Sequence, residues 1–218
     1  MITQLIDKTD NFEVIRDQIA SILALESASQ MALATTAGKD PALWELNVYT
    51  ERSNPWDNYE QDGGVIVNVW FDSSNVDGSS GDTVERQTMV GQFNVDVMGF
   101  GIAQSDGGTG HIAGDEAAAR AAARGVRLVR NILMAGTYTY LGLRGVVWNR
   151  RPSSISSFQP PINNRESTQV IGARLVLEVK FSEFSPQVEP VTLEYLSNQI
   201  TRAEDGKLLA TVDFDYTN

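Results

Sequence analysis

From Phe12 onward apolar residues recur at helical spacing, at Phe12, Ile15, Ile19, Ile22 and Leu23, with Thr9 or Asp10 available as an N-cap. Apolar and small residues continue through Met31 and Leu33 until Gly38 and Pro41. The pattern therefore predicts an amphipathic helix that either runs this whole length or breaks between Glu26 and Ser29. After Pro41 the period changes. Trp44 to Arg52 (WELNVYTER) and Val65 to Phe71 (VIVNVWF) are rich in β-branched and aromatic residues, and the polar connection SNPWDNYEQDGG separates them. Both predict strands. Beyond a Gly/Ser/Asp loop at 75–82, Met89 to Phe100 sets Phe93, Val95 and Val97 against Asn94, Asp96 and Met98. That alternation predicts a third strand with one face on a core.

A glycine-rich stretch, AQSDGGTGHIAGD, leads to a second helix, Asp115 to Met134. Asp115 and Glu116 suit the positive end of its dipole, and Gly136 is the expected stop. Its alanines and then Val126, Leu128, Val129, Ile132 and Leu133 form the apolar side, while Arg120, Arg124, Arg127 and Arg130 make one basic stripe. Gly145 to Arg150 and Ser153 to Phe158 read as strands. Gln169 to Phe184 is the clearest of all, with Arg174, Glu178 and Lys180 on one face and Ala173, Leu175, Leu177, Val179 and Phe181 on the other. Val191 to Thr201 and Lys207 to Tyr216, joined by AEDG, predict a terminal hairpin.

Helices and strands do not alternate regularly, so the expected fold is α+β. Its mostly antiparallel sheet carries an N-terminal helix and a long central helix on one face, and a C-terminal β-hairpin arm follows. The expected organisation is an α/β domain over 1–188 and an arm over 189–218.

Charge and composition narrow the chemistry. With 42% hydrophobic and 21% charged residues the chain has the composition of a folded globular protein. Lys plus Arg number 17 against 28 Asp plus Glu, a net charge of −11, which disfavours gripping nucleic acid through its phosphates. An acidic wall still suits a conduit, because it repels the backbone and lets DNA slide past. There are no cysteines, no signal-peptide pattern at the N-terminus and no apolar stretch of membrane-spanning length, so a protein of a reducing cytoplasm with no membrane contact is expected.

No catalytic residue, cofactor site or metal site is expected. SDGGTGHIAGDE lacks the GK[ST] ending of a phosphate loop, and its aspartates oppose phosphate. His111 is the single histidine, which removes His-pair metal sites and two-imidazole dyads. NVDGSSGD lacks the ligand spacing of a calcium loop, no G-x-S-x-G occurs, and Asp213 with Asp215 reads as the wet face of a terminal strand. The arginine stripe, with Arg150 and Arg151, has two readings: a solvated face with local ion pairs, or contacts to acidic faces of neighbouring copies.

The strand ending in YTER, then VIVNVWFD, FNVDVMGFGIA, the helix GDEAAARAAARGVRLVRNILM, RGVVWNRRPSSISSFQP and GARLVLEVKFSEFSPQ together resemble tail terminator, or tail completion, proteins of tailed bacteriophages. The resemblance spans Phe12 to Gln187 and rests on element order and texture. It implies a structural virion protein of the tail, without enzymatic activity. Such a protein is a homohexamer ring at the head-proximal end of the tail tube that ends tube polymerisation and joins the tail to the head. The implied partners are further copies of the chain, the tail tube protein, a sheath protein in contractile tails and a head-tail connector or neck protein. DNA passes through the ring without specific binding. Alternatives are another connector or neck ring and, from a different class, a ligand-binding or enzymatic domain.

Overall fold

The computed structural model describes residues 5–55, 64–78, 83, 85–105, 111–160, 169–184, 195–201 and 208–215. Helix α1, Asn11–Thr36, is unbroken. Within the 26–29 segment where a break was the alternative, Glu26 and Ser27 have side-chain partners outside the helix and do not compete for its backbone. Ser27 Oγ donates to the Trp44 carbonyl at 2.9 Å and accepts from the Leu46 N–H at 2.9 Å. Glu26 accepts a short hydrogen bond from the Tyr138 hydroxyl. Gly38, at φ +66, turns the chain at the C-terminus, and the N–H groups of Ala37, Gly38 and Lys39 bond back to the last helical carbonyls. A 3-10 turn, Pro41–Trp44, leads into strand β1, Leu46–Thr50.

The main sheet has the order β1-β2-β3-β7-β6, with β2 Val65–Val76, β3 Arg86–Gly101, β6 Val147–Phe158 and β7 Gln169–Phe184. Every pairing is antiparallel except β1 with β2. The fold is thus the α+β arrangement expected, with α1 and the second helix α2, Gly114–Leu133, both contributing to the main core. Short strands β4 (Gln104–Ser105) and β5 (His111–Ile112) pair with each other. Strands β8, Tyr195–Thr201, and β9, Leu208–Asp215, form a separate two-stranded sheet, the expected hairpin.

The core joins Ile15, Ile19, Ile22 and Leu23 of α1 to Val67, Val69, Phe93, Val95, Leu175, Leu177 and Phe181 of the sheet and to Val129 and Leu133 of α2. Helix α2 reaches the sheet by a different route. A Cβ on Gly99 would lie 2.3 Å from the Ala118 carbonyl oxygen, and one on Gly101 would lie 2.1 Å from that of Gly114. Small residues on both sides thus bring the helix backbone directly onto β3.

Three expectations need correction. Strand β3 is buried on both faces, since Asn94, Asp96 and Met98 are as enclosed as Phe93, Val95 and Val97. The reason is its central place in the sheet, where its second face meets a smaller cluster of Ile66, Met98 and Val170. The two strands read at 145–150 and 153–158 are one strand, β6, with register shifts at 147/149 and 152/154 that absorb Pro152 at a sheet edge. Gly136 does not stop α2: the helix ends at Leu133 with Met134 as its cap, and Gly136 opens a 3-10 turn to Tyr138.

Candidate functional site

Both helices pack on one sheet face. On the other face, polar residues alternate out of strands that are otherwise apolar, so they come together across β2, β3 and β7. Asp96 is the hub. Arg174 Nε donates to its Oδ1 at 2.6 Å and Arg174 Nη2 to its Oδ2 at 2.9 Å, and Trp70 Nε1 donates to Oδ2 at 3.0 Å. The guanidinium is also held between two rings, 5.0 Å from the Trp70 centroid and 5.3 Å from that of Phe158. Phe158 reaches this position because Gly172, its cross-strand partner, has no side chain: a Cβ there would strike the ring. The hydrogen bonds to Asp96 outweigh the effect of burial and push the Arg174 pKa above the usual guanidinium range.

Beside this hub lies an open recess of about 430 Å³, lined by Glu51, Arg52, Asn68, Trp70, Phe158 and Arg174 among others. Asn68 accepts the Arg52 N–H at 3.1 Å and donates to the Arg52 carbonyl at 2.9 Å, which fixes the chain as it leaves β1. Glu51, at φ +52, accepts the Phe71 N–H at 3.0 Å and Arg16 Nη1 at 3.3 Å. Both carboxylates facing the recess are therefore occupied by donors. The recess thus presents ring faces beside fixed polar groups. Among the described residues no three His, Cys, Asp or Glu side chains converge as a metal site.

The six arginines singled out as candidate inter-subunit contacts are dispersed. Arg120, exposed on α2, pairs with Glu116 one turn earlier. Arg127 and Arg130 are exposed on the same helix, and Arg124 is half-buried beside a recess shared with Leu43 and Phe100. Arg151 pairs with Glu178 across β6 and β7 at 2.8 Å, a bond that raises its pKa. Arg150 turns inward and is 8% exposed. Its Nη2 donates at 2.7 Å to the Ala135 carbonyl just beyond α2, its Nε has no hydrogen-bond partner, and burial lowers its pKa. Its role is to tie β6 to the end of α2, and it is not on the surface that a contact with another copy requires.

Residues 106–110 of SDGGTGHIAGDE, the turn AEDG and the side chains of His111, Asp213 and Asp215 lie outside the described residues. Trp70, Phe158 and Asn68 were not singled out by sequence reasoning. The available signal was Asn68 and Trp70 interrupting the valines of VIVNVWF, as Asn94 and Asp96 interrupt those of β3.

No protein-family model matches the chain, and no curated protein matches it in sequence. Among the described residues no helix is long and apolar enough to cross a membrane.

Proposed function

We propose that the protein is a ring-forming structural component of a bacteriophage tail, a tail terminator at the head-proximal end. There it ends tube polymerisation and provides the surface to which the neck joins. The observation that carries this reading is the arrangement of elements. The order of helix, strands, helix, strands on which the resemblance rests is realised as one sheet with both helices on one face. The opposite face presents the Asp96–Arg174–Trp70 hub, whose charged groups satisfy one another. Such a surface serves docking better than turnover. The net charge of −11 suits a ring through which DNA moves without sticking.

The decisive experiment removes the protein from a phage that encodes it and examines tails by electron microscopy. The expected result is tails of uncontrolled length that fail to join heads. Tails of normal length on normally joined heads would overturn the proposal. A second reading, another connector or neck ring, draws on the hairpin β8–β9, which lies beyond the segment carrying the resemblance. Gold labelling on intact particles separates the two, because a terminator sits against the last tube ring and a connector against the head.

A further inference from the structure

Two arginines on the sheet face away from the helices are held in nearly the same way, and only one of them has a carboxylate. Arg174 lies between the rings of Trp70 and Phe158, 5.0 and 5.3 Å from their centroids, and Trp70 Nε1 and the guanidinium both donate to Asp96. Arg86 lies on the same face, about 33 Å along β3 from Asp96. It sits between the rings of Trp148 and Phe184, at 5.0 and 5.8 Å. Here too the tryptophan and the arginine share one acceptor: Trp148 Nε1 donates to it at 2.8 Å and Arg86 Nε at 3.1 Å. That acceptor is the Ser182 hydroxyl, which is neutral and orients the guanidinium without balancing its charge.

Ser182 is fully buried, whereas the two side chains it fixes are exposed, Trp148 over 51% of its surface. Fixing a long surface side chain costs rotamer entropy, and most are left free. A tryptophan and an arginine, the residue types that dominate binding interfaces, are thus set in place before any partner arrives. Both Nη groups of Arg86 have no hydrogen bond or ion pair among the described residues. Glu85 beside it makes no ion pair with it, and Glu183 is on the opposite face of β7, accepting the Asn11 N–H. Lys8, 5.9 Å from the centroid of the same Phe184 ring, adds a second positive charge.

We propose that Arg86 and Trp148 form a docking point for an Asp or Glu side chain on the surface of a partner protein. The missing member of the Arg86 constellation is the carboxylate that Asp96 supplies to Arg174. The two Nη groups make an end-on fork that matches both oxygens of a carboxylate, and the exposed Trp148 ring supplies apolar area around it. A protein surface fits this point better than a free acid. Neither recess described above reaches Arg86 or Trp148, so a small molecule would stay largely in water, whereas a surface covers both side chains together. Nucleic acid fits worse still, because a chain of net charge −11 repels a polyanion more than it repels one carboxylate. This contact goes beyond the proposed function, which does not require it.

Solution NMR of the full-length chain tests it, because Arg86 Nε–H and Trp148 Nε1–H each give a resonance of their own. The probes are the peptide acetyl-Gly-Leu-Glu-Leu-Gly-amide, the same peptide with Gln in place of Glu, acetate, and a short DNA duplex. The Glu peptide is expected to shift both resonances saturably, and the Gln peptide and acetate to bind about tenfold more weakly or less. R86Q and R86K should each weaken the Glu peptide about tenfold, the second because lysine keeps the charge but not the fork. Both variants should unfold at the wild-type temperature, since Arg86 is exposed. No shift with the Glu peptide, equal binding of the Glu and Gln peptides, or full affinity in R86Q or R86K would each overturn the proposal. Acetate binding as tightly as the peptide would make this a small-anion site, and tighter binding of the duplex a nucleic-acid contact; either result also overturns it. A lowered unfolding temperature in R86Q with peptide binding intact would assign Arg86 to the fold of the single chain, with the same consequence.

Discussion

Helices α1 and α2 lie on the same sheet face and pack on it by opposite means. On α1, Ile15, Ile19, Ile22 and Leu23 drive large side chains into the core, while the outer side of its second half is apolar too. On α2, alanines and Gly125 allow backbone to approach strand, and the outer side is charged, with Arg120, Arg127 and Arg130 exposed. The contrast is one of means: α1 is held by large side chains in the core, α2 by the close approach of its backbone to β3.

Substitutions that change size in opposite directions should break the two helices selectively. Ile19→Ala removes a fully buried side chain from α1 and should cost about 2–5 kcal/mol in urea unfolding. For α2 the sensitive change is the reverse. Gly99→Ala forces a Cβ against the Ala118 carbonyl and should cost about 1–3 kcal/mol, measured in the same way.

Smaller effects sharpen the comparison at the points where each helix is tied down. Tyr138→Phe removes the hydroxyl that bonds Glu26 of α1 and should cost about 1 kcal/mol in thermal or urea unfolding. Arg127→Ala on the outer face of α2 should change monomer stability by less than about 0.5 kcal/mol. A loss well beyond that would mean the stripe serves the fold of the single chain.

The start of α1 supplies a pH dependence. Burial is the largest influence on Glu183 and raises its pKa above the usual carboxylate value, although N–H groups of Phe184 and Asn11 oppose it. A raised folded-state pKa means the native state holds this proton more tightly than the unfolded chain. Its contribution to stability is therefore complete below the ordinary carboxylate pKa and lost as pH rises through the folded value. Glu183→Gln should remove that slope. Unfolding free energies of wild type and variant, compared between pH 4 and pH 7, should converge or diverge only across that window; parallel curves would assign the slope to other groups.

Much of this fold was legible in one dimension. Periodicity located α1, α2 and all of β7, because residues such as Leu175, Leu177 and Val179 face a core that alternation alone announces. The same reading placed Arg174, Glu178 and Lys180 on the second face of β7. What it did not supply was their partners: Asp96 on β3, Arg151 on β6 and Asp77 just past β2. Those pairs depend on strand order, and strand order is decided by which edges meet in space. The recess was missed for the same reason, since Trp70, Asp96, Arg174 and Phe158 come from four different strands.

The sequence by itself determined where this chain is helical and where it is extended, because these follow from local spacing and residue type. Only the tertiary structure decided that β3 is central and buried on both faces, and that Arg150 is interior while Arg127 is not. Burial depends on what lies across the sheet or beyond the helix, and no local pattern specifies a neighbour distant in sequence.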